Sequence, residues 1–171
     1  TVYTSLPSRA LCLANHPTVS GTALCGLENG DVVVWDWAAE GDTGKRCDTP
    51  SAHTGRVNAL AAHPSGKVAS GGDDCKIKLL EFSPALCVSG ELCGHAGAVL
   101  ALQYFGGQLI SASADRTIRM WSLEAGVTLR ILRGHTGGIN CLALHPDPGR
   151  PLLVSGSEDG FTRLWDVSDS S

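Results

Sequence analysis

The fold is decided by residues 94–122, which read GHAGAVLALQYFGGQLISASADRTIRMWS. The stretch opens on a Gly-His pair and closes just after a tryptophan that follows an aspartate by six residues. Between these anchors, short apolar runs alternate with glycine- and serine-containing turn signals, a pattern that is typical of an all-β protein. We therefore predict strands at Val99–Gln103, Leu109–Ala112 and Thr117–Ser122.

The same arrangement recurs along the whole chain. Residues 134–165 repeat the Gly-His pair, the aspartate and the tryptophan, and two more divergent copies lie upstream. The turn residue, Asp or Asn, recurs every 41–45 residues, and the three loop histidines are 40–42 residues apart. A period of this length indicates a repeat protein in which each unit is one small sheet. The four repeats are predicted at about 1–46, 47–88, 89–128 and 129–171.

Strand and turn signals within the other repeats follow the same logic. An outer strand is predicted at Gly126–Leu132, whereas Lys45–Ala52 lacks apolar alternation and is predicted to be mostly loop. Asn29-Gly30 and Asp159-Gly160 predict tight type I′ turns, in which both central residues need a positive φ. In the second repeat the predicted strands are Val57–Ala61, Val68–Gly71 and Ile77–Phe82.

Composition limits the classes of function. The chain has 171 residues, 43% hydrophobic and 18% charged, with a net charge of −4, which argues against a nucleic-acid footprint or an anionic membrane surface. Its seven cysteines form no Cys-x-x-Cys pair, so we expect free thiols in a reducing compartment, cytoplasmic or nuclear. No zinc-ligand spacing and no phosphate-binding loop occurs, and we predict neither a metal site nor a cofactor.

The sequence resembles the WD-repeat β-propeller family. The resemblance rests on Gly94-His95 to Trp121-Ser122, on Gly134-His135 to Trp165-Asp166, and on weaker copies at Trp35-Asp36 and His53. It covers essentially the whole chain and implies four blades of four-stranded antiparallel sheet, part of a ring of seven or eight. Blades of this kind bury their apolar faces against one another. The faces are expected to carry Val32/Val34, Ile77/Leu79, Ile118/Met120 and Phe161/Leu164.

The resemblance also implies a buried polar tetrad in each blade. It joins a loop histidine, a second-strand serine, the turn aspartate and the third-strand tryptophan. The second repeat has Leu80 in place of the tryptophan, and the first keeps Trp35 but has Leu6, Cys25 and Asn29 at the other three positions. The matching residues are His95, Ser111, Asp115 and Trp121; His135, Ser155, Asp159 and Trp165; and His53, Ser70 and Asp74.

Serine, histidine and aspartate are also the residues of a hydrolase triad, which needs an exposed nucleophile beside an oriented base. Here the set recurs once per repeat in fixed phase, which favours a structural network over a catalytic site. We therefore predict a protein without catalytic residues that acts as a protein–protein interaction scaffold or adaptor. The alternative is a targeting segment of a larger enzyme or ubiquitin-ligase component, although no Trp-Asp-x-Arg occurs.

A binding face is implied by the loops at one end of the blades. In the family this face carries the residues three and five beyond the loop histidine and the residue before the turn aspartate. It would mix acidic, basic and apolar side chains, a plausible composition for a protein interface. A further alternative is a surface that reads RNA or a phosphopeptide through its two arginines, Arg9 and Arg56. The candidate residues are Arg9, Leu11, Glu28, Arg56, Asn58, Asp73, Leu100, Asn140 and Glu158.

The sequence is compatible with three ways of completing the propeller ring. Thr1–Thr4 is predicted to be an outer strand that completes the last blade, as the family does when it closes its ring. The chain could be a piece of a longer protein, could form a homodimer with an eight-blade ring, or could close with four blades. Without closure, two apolar blade faces would be exposed.

Overall fold

The structure, a computed structural model, describes residues 6–15, 21–36, 45–49, 51–82, 86–145, 147 and 149–168. These residues form fifteen β-strands in four antiparallel sheets, and they contain no helix. Blade 1 holds β1 (Ala10–Asn15), β2 (Thr22–Leu27), β3 (Val32–Asp36) and β4 (Lys45–Thr49); blade 2 holds β5 (Val57–Ala62), β6 (Val68–Gly72), β7 (Ile77–Phe82) and β8 (Leu86–Leu92). Blade 3 holds β9 (Val99–Phe105), β10 (Gln108–Ser113), β11 (Thr117–Ser122) and β12 (Val127–Arg133); blade 4 holds β13 (Ile139–Leu144), β14 (Leu152–Ser157) and β15 (Thr162–Asp166).

The predicted strands of the second and third repeats are confirmed to within two residues at each end. The prediction for Lys45–Ala52 is wrong, because Lys45–Thr49 forms β4 and pairs antiparallel with β3. An outer strand is held by its backbone ladder on one side, and it does not need an alternating apolar pattern to form. Apolar periodicity is therefore a poor detector of this strand.

The predicted type I′ turns are also wrong. At Asn29-Gly30 and Asp159-Gly160 only the glycine has a positive φ, 91° and 82°. The Gly30 N–H donates to the Leu27 carbonyl and the Leu27 N–H donates to the Asp31 carbonyl. This is a three-residue hairpin loop that ends in a left-handed residue, the second common way to join two strands.

Successive blades pack face to face through apolar side chains. We call the face toward the preceding blade the leading face and the opposite one the trailing face. Between blades 2 and 3, Ala69 and Ile77 on the trailing face meet Val99 and Trp121 on the leading face. Similar cores join blades 1 and 2 and blades 3 and 4. Burial of each large side chain contributes about 1.5–3 kcal/mol, which makes these interfaces the main source of stability.

The two end faces of the array lack such a neighbour among the described residues. Leu164 of blade 4 occupies the register position of Met120 in blade 3, yet it is 64% exposed where Met120 is 3% exposed. At the other end, Leu13 is 73% exposed, and its counterpart Leu102 in blade 3 is 7% exposed. The expectation that Phe161 and Leu164 are buried is therefore wrong, because no blade among the described residues packs against them.

Gly156 marks the place where a following blade would fit. At the equivalent positions Gly26 and Gly71, an added Cβ would lie within 2.6 Å of a first-strand valine of the next blade. At Gly156 the same atom would meet only the Cys141 side chain. The trailing face of blade 4 thus keeps the glycine notch that receives the next blade at the interfaces of blade 1 with blade 2 and of blade 2 with blade 3.

Blade 4 has three strands among the described residues, and β15 is its edge. The predicted outer strand at Thr1–Thr4 lies outside the described residues. No helix capable of crossing a lipid bilayer is found in the part of the chain that the structure describes.

Candidate functional site

Blade 3 contains a complete polar tetrad. The loop before β9 carries His95, whose Nδ1 lies 2.7 Å from the Asp115 carboxylate and whose Nε2 lies 2.7 Å from the Ser111 hydroxyl on β10. The indole N–H of Trp121 on β11 donates to the same hydroxyl at 2.8 Å. The tetrad therefore ties the interblade loop to the β10–β11 turn through two adjacent strands.

Blade 4 repeats this arrangement. His135 lies 2.8 Å from both the Asp159 carboxylate and the Ser155 hydroxyl, and the Trp165 indole donates to Ser155 at 2.8 Å. In both blades the carboxylate also accepts a backbone N–H from the residue after the histidine, Ala96 or Thr136. Sequence repetition is thus reproduced as repeated geometry.

Burial and hydrogen bonding fix the proton positions. Burial lowers the pKa of His95, which therefore carries one ring proton at neutral pH. A carboxylate can only accept, so Nδ1 bears that proton and Nε2 accepts from the Ser111 hydroxyl. Burial alone would raise the pKa of Asp115, but donors from Thr117, His95 and Ala96 outweigh it and lower that pKa from 3.8 to about 2.

Blades 2 and 1 depart from the complete tetrad in different ways. In blade 2, His53 binds Asp74 at 2.9 Å and Ser70 at 2.8 Å, and the buried Leu80 takes the register position of the tryptophan. Burial opposes ionisation of Asp74, yet the His53, Thr54 and Lys76 donors lower its pKa. In blade 1 the corresponding residues form an apolar cluster of Leu6, Cys25 and Trp35.

The predicted binding-face residues are held in one recurring backbone arrangement. In every blade, the N–H of the residue before the turn Asp or Asn donates to the carbonyl of the residue immediately before the first strand. The four bonds, each 2.9–3.0 Å, run from Glu28 to Arg9, from Asp73 to Arg56, from Ala114 to Ala98 and from Glu158 to Gly138. We call this end of the array the upper face.

Charged side chains connect blades 1 and 2 on the upper face. The Glu28 carboxylate binds Arg9 of its own blade at 3.1 Å and Arg56 of the next blade at 3.2 Å. Beside this bridge, the Asn58 amide donates to the Asp73 carboxylate at 2.7 Å. Asp73 is thus exposed but paired.

Fewer charged side chains lie on the upper face of blades 3 and 4. Leu100 is half-buried, and Asn140 and Glu158 are exposed. Leu11 of blade 1 is also exposed. The upper face therefore has a charged half on blades 1 and 2 and a half with uncharged and acidic side chains on blades 3 and 4.

The family profile described as "WD domain, G-beta repeat" matches residues 44–80, 87–122 and 126–166, more than half of the chain. The chain belongs to the WD-repeat family. WD-repeat domains act as scaffolds for protein interactions, and the propeller architecture predicted from the sequence is confirmed.

Curated relatives include several WD-repeat proteins. The chain is 38% identical over 122 residues to nuclear distribution protein nudF 1 of Talaromyces marneffei. This alignment covers 68% of the chain and 26% of the relative. It is 30% identical over 172 aligned positions to nuclear distribution protein PAC1 of Arthroderma otae. That alignment covers 93% of the chain and 36% of the relative. Human apoptotic protease-activating factor 1 is 26% identical over 86% of the chain and 11% of its own length. The chain thus spans about a third or less of these relatives.

Solved structures give the same fold. The chain superposes on U3-55K with a TM-score of 0.84 at 23% identity, covering 98% of this chain and 52% of that one. The WD40 repeats of RRP9 give a TM-score of 0.84 at 22% identity, and the superposition covers 98% of this chain and 51% of the RRP9 chain. This WD-repeat chain therefore corresponds to about half of each solved propeller chain.

The tetrads have the connectivity of a hydrolase triad but not its access. Ser70, Ser111 and Ser155 are all 0% exposed. In blades 3 and 4 the tryptophan N–H also occupies one side of the serine oxygen that would have to attack a substrate. A nucleophile that a substrate cannot reach has no role in acyl transfer.

Sequence reasoning missed a second pair of serines. The Ser113 hydroxyl donates to the Gly97 carbonyl at 2.9 Å and accepts the Asp115 N–H at 3.0 Å. Ser157 makes the same two bonds in blade 4. The signal was present as a serine two residues before each turn aspartate in repeats three and four.

Cysteine and metal chemistry add little to the site. The cysteines whose side chains are described, Cys12, Cys25, Cys75, Cys87, Cys93 and Cys141, are free thiols. Within the described residues, no group of three or more His, Cys, Asp or Glu side chains could hold a metal ion.

Proposed function

We propose that this WD-repeat chain is a non-catalytic scaffold that binds a partner protein on its upper face. The observation that carries the proposal is the Glu28 bridge to Arg9 and Arg56, which fixes polar side chains of two blades on an exposed surface. A rigid scaffold that presents fixed loop residues is the usual basis of recognition by such proteins. Arginines and a nearby apolar side chain are typical anchors at protein interfaces.

The buried tetrads support the non-catalytic part of the proposal. Their hydrogen bonds are satisfied within each blade, and none of the three serines has a solvent-exposed surface. The tetrads are therefore better suited to stabilise the loops that carry the upper face than to process a ligand. We also infer that the chain works inside the cell, where free thiols persist.

The partner is expected to be a protein rather than a nucleic acid. The chain carries a net charge of −4, and both upper-face arginines are already paired with Glu28. The repeat boundaries at about 1–46, 47–88, 89–128 and 129–171 remain part of the proposal, as do the end faces as docking sites for further blades or for a second copy.

The test combines Arg56→Glu with Leu100→Asp, which changes both halves of the upper face. Affinity capture followed by quantitative mass spectrometry compares the proteins retained by the double variant with those retained by the unchanged chain. We expect the double variant to lose specific partners while circular dichroism shows that it keeps the β-sheet fold. Lys67→Glu serves as the matched control, because Lys67 is exposed at the opposite end of blade 2.

An identical set of captured proteins for the double variant and the unchanged chain would rule out the upper face as the binding surface. Loss of partners with Lys67→Glu as well would indicate a general charge effect. A hydrolytic activity that disappears in Ser111→Ala would contradict the non-catalytic part of the proposal.

A further inference from the structure

The outer strand of blade 3 carries an apolar stripe that no described residue covers. Val127, Leu129 and Ile131 on β12 are 51%, 53% and 38% exposed. Val127 lies opposite Ser122 and Ile131 lies opposite Arg119, while the bulge between Thr128 and Arg130 leaves Leu129 without a register partner on β11. Val127 and Ile131 therefore project to opposite sides of the sheet, and the exposed aliphatic side chains follow the length of the strand rather than one face. We call these three side chains the β12 stripe.

Blade 2 shows that the stripe is not a requirement of the fold. The corresponding positions on its outer strand β8 hold Cys87, Ser89 and Glu91, because β7 pairs with β8 as β11 pairs with β12. Ser89 donates to the Leu79 carbonyl, and Glu91 binds both Lys76 and Lys78. The same location is thus polar and internally paired in blade 2 but apolar and unpartnered in blade 3.

The strand also has a free edge. β12 is the terminal strand of its sheet and pairs only with β11 among the described residues. An edge strand offers unpaired backbone N–H and carbonyl groups, and proteins usually protect such edges with charges, bulges or covering segments. Here the side chains next to the free edge are aliphatic and would favour an additional strand.

The charges on β12 indicate which sign of charge a partner would carry. The strand contains Arg130 and Arg133 and no acidic residue. Arg130 uses one guanidinium nitrogen to bind the Asp166 carbonyl of blade 4 at 3.2 Å, and Arg133 is exposed. Arg130 lies opposite Met120 and Ile131 lies opposite Arg119, so the two side chains project to opposite sides of the sheet.

We propose that β12 is a second interaction surface, at which an extended, acidic segment of a partner protein adds a fifth strand to blade 3. The segment would place an apolar side chain beside Ile131 and an acidic side chain toward Arg130, which projects to the opposite side of the sheet, so apolar and acidic residues alternate in its sequence. Strand addition of this kind takes its affinity from the backbone ladder and its specificity from alternate side chains. The surface is distinct from the upper face, so the two sites can be lost independently.

The probe is a fluorescein-labelled octapeptide of alternating valine and glutamate, and its binding is followed by fluorescence anisotropy. We expect saturable binding that weakens at least about tenfold when Leu129→Ser and Ile131→Ser are combined. Val88→Ser is the control, since Val88 is an exposed aliphatic residue on the neighbouring edge strand β8. Circular dichroism and thermal melting establish that the exposed substitutions leave the fold intact.

Two modified peptides separate strand addition from simple apolar adhesion. N-methylation of one set of alternate peptide nitrogens removes the donors that face β12, and N-methylation of the other set changes only nitrogens that face away. We expect one methylated peptide to lose binding and the other to retain it. A valine–lysine octapeptide should bind more weakly than the valine–glutamate one.

The proposal is overturned by absence of saturable binding up to about 1 mM, or by equal binding to the Leu129→Ser/Ile131→Ser variant. Equal behaviour of the two methylated peptides, or equal binding of the lysine peptide, would overturn it too. Sedimentation that shows a dimer of the unchanged chain and a monomer of the double-serine variant would identify a second copy as the occupant instead.

Discussion

Blades 1 and 3 have the same strand order, and their first three strands pair in the same register, but their interiors differ at the same location. In blade 3 an aspartate, a histidine, a serine and a tryptophan form, in that order, one continuous hydrogen-bonded chain. In blade 1 the corresponding side chains of Leu6, Cys25 and Trp35 lie in an apolar cluster. The sheet therefore does not depend on the polar network for its formation.

The difference lies in how each turn is attached to the loop. In blade 3 the Asp115 carboxylate accepts hydrogen bonds from His95, Ala96 and Thr117, so the turn and the loop are held by one charged group. In blade 1, the Asn29 side chain bonds to Asp31 alone among the described residues, and Asp31 accepts the Ser51 N–H. Blade 3 should therefore be more sensitive than blade 1 to changes at polar positions.

The largest expected effect comes from Asp115→Ala compared with Asn29→Ala. The first change leaves several buried donors without an acceptor, and we expect it to lower the free energy of unfolding by about 3 kcal/mol. Asn29 is exposed, and its replacement should cost less than about 1 kcal/mol. Urea unfolding of the two variants measures both numbers, and equal losses would contradict the distinction between the two blades.

The next comparison is Ser111→Ala against Cys25→Ala. Removal of the Ser111 hydroxyl leaves the Trp121 N–H and the His95 Nε2 unpaired in a buried site, which should cost about 2 kcal/mol. Cys25 is surrounded by apolar groups, so its truncation loses packing of one sulfur atom and should cost about 1 kcal/mol. A greater loss for Cys25→Ala, measured by thermal or urea unfolding, would indicate that packing outweighs the polar network.

Acidification should act on blade 3 and not on the corresponding residues of blade 1. Asp115 has a pKa of about 2 in the folded state against 3.8 when unfolded, so its contribution is present above pH 3.8 and is lost as the pH falls toward 2. Burial lowers the pKa of His95 below 6.5, so the unfolded chain takes up that proton first and stability already declines below pH 6.5. The Asp115 contribution is at most about 2 kcal/mol, given partial exposure to solvent.

Unfolding midpoints in urea between pH 7 and pH 3 check this dependence. The unchanged chain should lose stability steadily toward low pH, and Asp115→Asn should show a flatter profile between pH 4 and pH 3. Cys25→Ala is the matched control, because it removes no titratable carboxylate or histidine and should keep the slope of the unchanged chain. A slope that Asp115→Asn leaves intact would place the acid sensitivity in other groups.

The sequence alone was sufficient to predict the features that repeat from blade to blade. The strands of repeats two and three followed from apolar runs between turn signals, and the identity of Leu6, Cys25 and Asn29 already separated repeat one from the others. The resemblance to the WD-repeat family supplied the upper-face positions, which were then read off each repeat. These features are local, so a single sequence can reveal them.

Features that depend on neighbouring elements could not be obtained in this way. The Glu28 bridge to Arg9 and Arg56 joins residues 19 and 28 positions apart, and only the packing of two blades brings them together. The exposure of Leu164 depends on whether another blade is present, since its sequence pattern is that of a buried strand. The prediction of type I′ turns was wrong because an Asn-Gly or Asp-Gly pair fits both two-residue and three-residue hairpin loops.

The smallest expected effect concerns the turns themselves. Arg116 of blade 3 has a φ of 70°, a conformation that costs non-glycine residues energy, and Gly30 holds the equivalent position in blade 1 with a φ of 91°. Arg116→Gly should relieve this strain, and after the entropy of the more flexible unfolded chain is subtracted we expect a gain of about 0.5 kcal/mol. Gly30→Ala should instead be destabilising, because the new Cβ would lie 2.1 Å from the His53 carbonyl oxygen of blade 2. Differential scanning calorimetry that shows opposite shifts in melting temperature for these two variants would mean that the blade 1 turn is fixed by contact with its neighbour and the blade 3 turn by its own strand pairing.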